Sequence, residues 1–195
     1  MSVNRSARVQ IAFLTGRSDP HSCALSPIQH AFLGRLAGPG RLLVPNNFPY
    51  EPIGRAYQPI GLLRASLNNY REYRSSRHPA YRRRYQADVK ALLQKAPRTV
   101  FLAGSCGLEL LFNLGLDIED LARTFVFAYG PVARDLPDCH CVLVRGRSDW
   151  LCRRFTGASS YDVDCGHLNY LRDEQVHRIC EAFVRRVAAD SMTVA

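Results

Sequence analysis

The chain has 195 residues and a mass of 22.0 kDa, with 47% hydrophobic content and a formal net charge of +9. That is enough apolar material for a single domain over 1–195 and too much for a disordered chain, while no apolar run approaches the roughly 20 residues that cross a bilayer. The positive charge raises nucleic acid or an acidic partner, but no nucleic-acid motif accompanies the arginines, and charge alone is a weak signal that selects neither.

In chain order, MSVNRSARVQ lacks a secretory apolar segment behind it, which predicts a cytoplasmic protein. Val9–Leu14 reads as a strand ending at Thr15-Gly16-Arg17. Ser26-Pro27 supplies an N-cap and a proline at the first helical position, and Ile28, Ala31, Phe32 and Leu36 give the following helix its face. Gly38-Pro39-Gly40 ends that helix, Arg41–Pro45 is a second strand, and the turn-rich stretch Asn46–Pro52 follows.

From about Ile60 to Ala96 the spacing is helical in two pieces, broken at His78-Pro79. Leu63, Leu67 and Tyr70 repeat in the first piece, and Tyr81, Tyr85, Val89 and Leu92 in the second. The segment carries Arg64, Arg71, Arg74, Arg77, Arg82, Arg83 and Arg84, a solvated face or a basic rim for an anionic or carrier-tethered substrate. Tyr70, Tyr73, Tyr81 and Tyr85 are spaced for helix packing rather than for stacking nucleic-acid bases.

Val100–Ala103 is a short buried strand that passes, through Gly104-Ser105-Cys106-Gly107, into the helical spacing of Leu108, Leu110, Leu111 and Leu114. Asp117–Arg123 connects to the strand Thr124–Ala128, and Cys139–Val144 and Tyr161–Val163 follow as strands. Val176, Ile179, Cys180, Phe183, Val184 and Val187 form one stripe of a final amphipathic helix. The alternation of strands and helices predicts a three-layer αβα sandwich, with a mainly parallel sheet of about six strands.

The seven cysteines are an odd number without a disulfide framework and read as reduced, core thiols. Cys139-His140-Cys141 places two thiols on one strand face, but no second ligand pair stands at zinc-site spacing, and neither a metal nor a cofactor is expected.

A strand that becomes a helix within four small residues lifts the side chain at its apex, Ser105, clear of the sheet. Ala103-Gly104-Ser105-Cys106-Gly107 resembles the nucleophile elbow of the α/β-hydrolase superfamily, G-x-S-x-G, with Ala in place of the first Gly. Asp149 and His167 follow at later strand ends, in GRSDW and DCGHLNYL, in the superfamily's order of serine, acid and histidine. The resemblance runs from about Val9 to Val187. It implies that Ser105 is the nucleophile, His167 its general base and Asp149 the group that orients the imidazole, with Asp135 the rival acid. It also implies an oxyanion hole made of the backbone N–H of Cys106 and a second N–H near Arg17, where Thr15-Gly16 stands in place of the frequent His-Gly.

Only about ten residues separate Thr124–Ala128 from Cys139, which leaves no room for the cap domain that commonly follows this strand in the superfamily. The resemblance is therefore to a minimal serine hydrolase of the esterase or thioesterase kind, and the helical 60–96 region could supply a partial cover. An acyltransferase uses the same chemistry. A catalytically inactive, hydrolase-like protein that binds a ligand or partner is the alternative.

Overall fold

The computed structural model describes residues 8–50, 56–154 and 158–189; the N-terminal stretch 1–7 and the Glu51–Pro52 end of the turn-rich segment lie outside them. Six strands, β1 (Val9–Leu14), β2 (Arg41–Asn47), β3 (Thr99–Gly104), β4 (Thr124–Tyr129), β5 (His140–Gly146) and β6 (Tyr161–Val163), form one all-parallel sheet in the order β2-β1-β3-β4-β5-β6. Around it lie α1 (Pro27–Arg35), α2 (Leu62–Ser75), α3 (Pro79–Leu93), α4 (Gly107–Phe112), α5 (Ile118–Ala122) and α6 (Glu174–Ala189). Asp117–Arg123 is thus more than a connection: Asp117 caps the short α5 by accepting from the Asp120 N–H.

Strand alternation divides the core into two layers. Ala12, Leu14, Phe101, Ala103, Val126 and Ala128 pack against Tyr81, Tyr85, Val89 and Leu92 of α3 and Leu108, Leu110 and Leu111 of α4. Ile11, Phe13, Val100, Leu102 and Phe127 pack against Phe32 and Leu33 of α1 and Val176, Cys180, Phe183 and Val187 of α6. These layers give the three-layer sandwich, and no separate cap domain stands among the described residues. The α1 face differs from its expected form: Leu33 is buried, while Ala31 faces outward.

The strand order places a topological switch between β1 and β3. From β1 the chain turns one way through α1 to β2; from β2 it crosses back over β1 to β3 and then moves steadily the other way. Right-handed crossovers in opposite directions put their helices on opposite faces, which opens a crevice where the carboxyl ends of β1 and β3 diverge. The Thr15-Gly16-Arg17 and Gly104-Ser105-Cys106 turns flank that crevice. Among the described residues no helix is long and apolar enough to cross a membrane.

Candidate active site

Ser105 sits where β3 hands over to α4, with φ +52°, the one non-glycine residue in the left-handed region among those described. For a side chain with a Cβ this conformation costs about 1–2 kcal/mol, and the surroundings hold it in place. The Ser105 N–H donates to the Tyr129 carbonyl at 3.2 Å, and the Ser105 carbonyl accepts from the Val132 N–H at 2.9 Å. Two glycines let the corner close: a Cβ at Gly107 would overlap the Leu14 carbonyl oxygen, and one at Gly104 would overlap the Tyr129 ring.

The structure brings the three expected residues together. His167 Nε2 lies 3.1 Å from Ser105 Oγ, and His167 Nδ1 lies 2.8 Å from Asp149 Oδ2. Asp149, not Asp135, holds the imidazole; Asp135 is exposed in the loop after β4. Asp149 is 1% exposed and is fully engaged. Its Oδ1 accepts from the Leu151 and Cys152 N–H groups at 3.1 and 3.2 Å, and its Oδ2 also accepts from the Tyr170 hydroxyl at 2.8 Å. Burial pushes this carboxyl upward, but the bonds from His167, Tyr170 and Cys152 outweigh it and hold it below the usual aspartate value.

Tyr170 was not singled out by the sequence reading. Its buried hydroxyl accepts from the Gly146 N–H at 2.6 Å while donating to Asp149, so it ties the acid to the end of β5. Burial, and then its hydrogen bond to the Asp149 carboxylate, raise its own pKa, so it stays protonated and a donor. The available signal was a tyrosine three residues beyond His167, in the turn His167-Leu168-Asn169-Tyr170.

Cys106 carries a buried thiol pushed up to about 12, first by burial and then by the charge of Glu72, which makes it a poor nucleophile beside Ser105. Among the described residues no backbone carbonyl accepts from its N–H.

Arg17 differs from the expectation. Its backbone N–H, the expected second oxyanion donor, is bound to Glu72 Oε2, and its Nε donates to Glu72 Oε1 at 2.9 Å. The guanidinium also lies over the Tyr50 ring, 4.4 Å from its centroid. The carboxylate of α2 therefore takes the donor that an oxyanion would need and pins the β1 loop to α2. Glu72 is the single acidic residue in the arginine-rich α2, and that isolation was the one sequence signal for it. Asn47 fixes the base of the same loop, pairing with both the N–H and the carbonyl of Thr15 at 2.9 and 3.0 Å.

Behind α4, the fully buried Glu109 accepts from Arg77 Nε at 2.9 Å and from the Arg134 N–H at 2.9 Å. Burial raises this carboxyl, but the donors prevail and it titrates below the ordinary glutamate value. The helix that follows Ser105 is thereby tied to the α2–α3 corner and to the loop after β4. Cys139 and Cys141 are half-buried with Sγ atoms 3.8 Å apart, so they are not the core thiols expected; all seven cysteines are free.

Ser105 and His167 open into a cavity of about 640 Å³, within the range of small-molecule sites. The β1 loop and Asn47 line one side of it, and Leu62, Ala65, Asn69, Tyr70 and Tyr73 of α2 line the other. Tyr81 and Tyr85 belong instead to the core, where their rings meet edge to face. No protein-family model matches the chain, and no curated protein matches it.

Proposed function

We propose that the protein is a serine hydrolase that cleaves a carboxylic ester or thioester through an acyl-enzyme. The observation that carries the reading is the unbroken hydrogen-bonded chain from Ser105 through His167 to the buried Asp149, at the floor of a cavity. The fold adds support, because these side chains stand at the carboxyl end of a parallel sheet beside its switch point. The left-handed Ser105 adds more, since strain of this kind is retained where the surroundings enforce it.

The chemistry follows from the geometry. His167 Nε2 takes the Ser105 proton as Oγ bonds to the acyl carbon, and Asp149 stabilises the imidazolium that forms. The Cys106 N–H faces the negative charge that develops on the carbonyl oxygen. Collapse breaks the bond to the alcohol or thiol, which leaves with the proton from His167. Water then gives a proton to His167 and its oxygen to the acyl carbon; Ser105 recovers its proton and the acid departs. An alcohol in place of water would make the same site an acyltransferase. No step needs a metal or cofactor. Arg64, Arg71, Arg74, Arg82, Arg83 and Arg84 are all exposed on α2 and α3, a basic surface suited to an anionic partner, of which an acidic carrier protein is one kind. Seven free thiols suit the reducing cytoplasm.

Labelling with a fluorophosphonate probe tests the reading. Wild type and Cys106→Ala are expected to label, and Ser105→Ala is not. A folded wild type that does not label would instead favour a hydrolase-like binding protein.

A further inference from the structure

Most of the exposed large apolar side chains gather at one place. Tyr57, Leu62, Tyr70 and Leu168 are exposed and line the mouth of the Ser105 cavity. Leu63, 91% exposed, and Leu67 adjoin them on α2, and the exposed Trp150 precedes Leu151 of the cavity wall. A monomer seldom leaves a contiguous patch of this kind without a use for it.

The helical turn sorts α2 into three sectors. Glu72 and Tyr73 are buried against the protein. Leu62 shares the angular sector of Glu72 and Tyr73 but is exposed at the helix start; Tyr70, Leu63 and Leu67 fill the adjoining arc with Arg74 between the two leucines, and Arg71 and Arg64 occupy the arc beyond. Leu63, Leu67 and Tyr70 thus repeat at helical spacing toward the outside, not toward the core. The one acidic residue of the helix, Glu72, is turned inward onto Arg17, so the outer surface of α2 is apolar and cationic without a countercharge of its own. An apolar arc bordered by arginine is the pattern of a helix that lies in the boundary of an anionic lipid layer, with leucines among the acyl chains and guanidinium groups at the phosphates. A soluble acidic carrier would engage the arginines but would give the exposed leucines no apolar phase.

We propose that α2 docks on an anionic lipid surface and that the cavity takes its acyl substrate from that layer, the ester or thioester of an amphiphile. The substrate half of this proposal rests on the serine-hydrolase reading; the docking half does not. Trp150 is the chain's single tryptophan, exposed and next in sequence to Leu151 of the cavity wall, which makes it the available fluorescence probe.

The experiment follows Trp150 emission and co-flotation of Ser105→Ala protein with vesicles of phosphatidylcholine alone or with a third of phosphatidylglycerol. The expected result is a blue shift and co-flotation only with the anionic vesicles. The combined Leu63→Asp and Leu67→Asp variant, and separately the combined Arg64→Glu, Arg71→Glu and Arg74→Glu variant, should each weaken binding at least about tenfold. In the Ser105 background both should label with fluorophosphonate as wild type does, which shows them folded with the site intact. Failure of the unmodified surface to bind anionic vesicles, while wild type still labels, overturns the docking proposal and leaves the hydrolase reading standing. Binding that ignores the leucine substitutions, capture of an acidic protein in preference to vesicles, or a dimer that the leucine substitutions dissolve also overturns it. Vesicle binding by a wild type that never labels upholds docking and removes the substrate half.

Discussion

Replacing Asp149 by asparagine is a severe test of the site because the structure fixes which way the amide must face. The Leu151 and Cys152 N–H groups both point at Oδ1, so the asparagine must keep its carbonyl oxygen there; its NH₂ group would find two donors and no acceptor. The amide nitrogen then occupies the place of Oδ2, 2.8 Å from His167 Nδ1. Carrying two protons, it can only donate, which obliges Nδ1 to accept and moves the ring proton to Nε2, the nitrogen facing Ser105. The base has then lost the lone pair that would take the serine proton. A wrong tautomer in otherwise intact geometry costs about 10⁴ in kcat, or about 5.5 kcal/mol of transition-state stabilisation. The second-order rate of fluorophosphonate inactivation and the turnover of a soluble ester measure it, with near-UV circular dichroism to establish the fold. Asp135→Asn, at an exposed position, serves as the control and is expected to keep the wild-type rate. An Asp149→Asn rate within tenfold of wild type, or an equal loss in Asp135→Asn, would refute the reasoning.

Tyr170→Phe removes a donor from Asp149 and strands the buried Gly146 N–H; a loss of about 1–3 kcal/mol is expected by urea unfolding, with a smaller fall in labelling rate than Asp149→Asn produces. Gly107→Ala forces a methyl group into the Leu14 carbonyl oxygen, which should cost about 3 kcal/mol or more and lower Tm by about 6 °C or more in a thermal melt. Glu109→Gln breaks a buried ion pair, and because Arg77 and Arg134 keep some access to water the cost should fall near the low end of the range for such pairs, about 3 kcal/mol, again read by urea unfolding. Glu109 and Asp149 both titrate below their unfolded values, so the stability each contributes is full above about pH 4–4.5 and is lost as pH falls through the lower folded value. Acid unfolding followed by far-UV circular dichroism should steepen in that window, and less so in Glu109→Gln.

The sheet was legible because its strands are apolar on both faces and end at glycine-rich or polar turns. Val9–Leu14 and Tyr161–Val163 coincide with the observed strands, three others grow by one or two residues, and the one expected at Cys139–Val144 starts a residue later and runs to Gly146. The residues now at the centre of the site were legible because strand ends of a parallel sheet converge. Glu72, Tyr170 and Glu109 were not, and Arg17 was named without its carboxylate partner, since each owes its role to a partner chosen by packing. Glu72 reaches Arg17 from 55 residues away, and no local pattern announces that a carboxylate will cover that particular N–H. The outward turn of the α2 stripe was hidden for a related reason: periodicity locates an apolar face, and Tyr70 was spaced for packing, but it does not say which way the face turns.

The sheet order has a consequence for the chain as it is made. Ser105 is locked into its left-handed corner by β1, β3, β4 and the Val132 N–H, all earlier than residue 133, whereas His167 comes from the turn after the last strand, 62 residues beyond Ser105. At ribosomal speeds of 5–20 residues per second, about 3–12 s separate translation of the hydroxyl from that of its base. The corner itself cannot close before Val132 is made, 27 residues after the serine, and on the hydrolase reading Ser105 then stays without its base until the turn after β6 supplies His167.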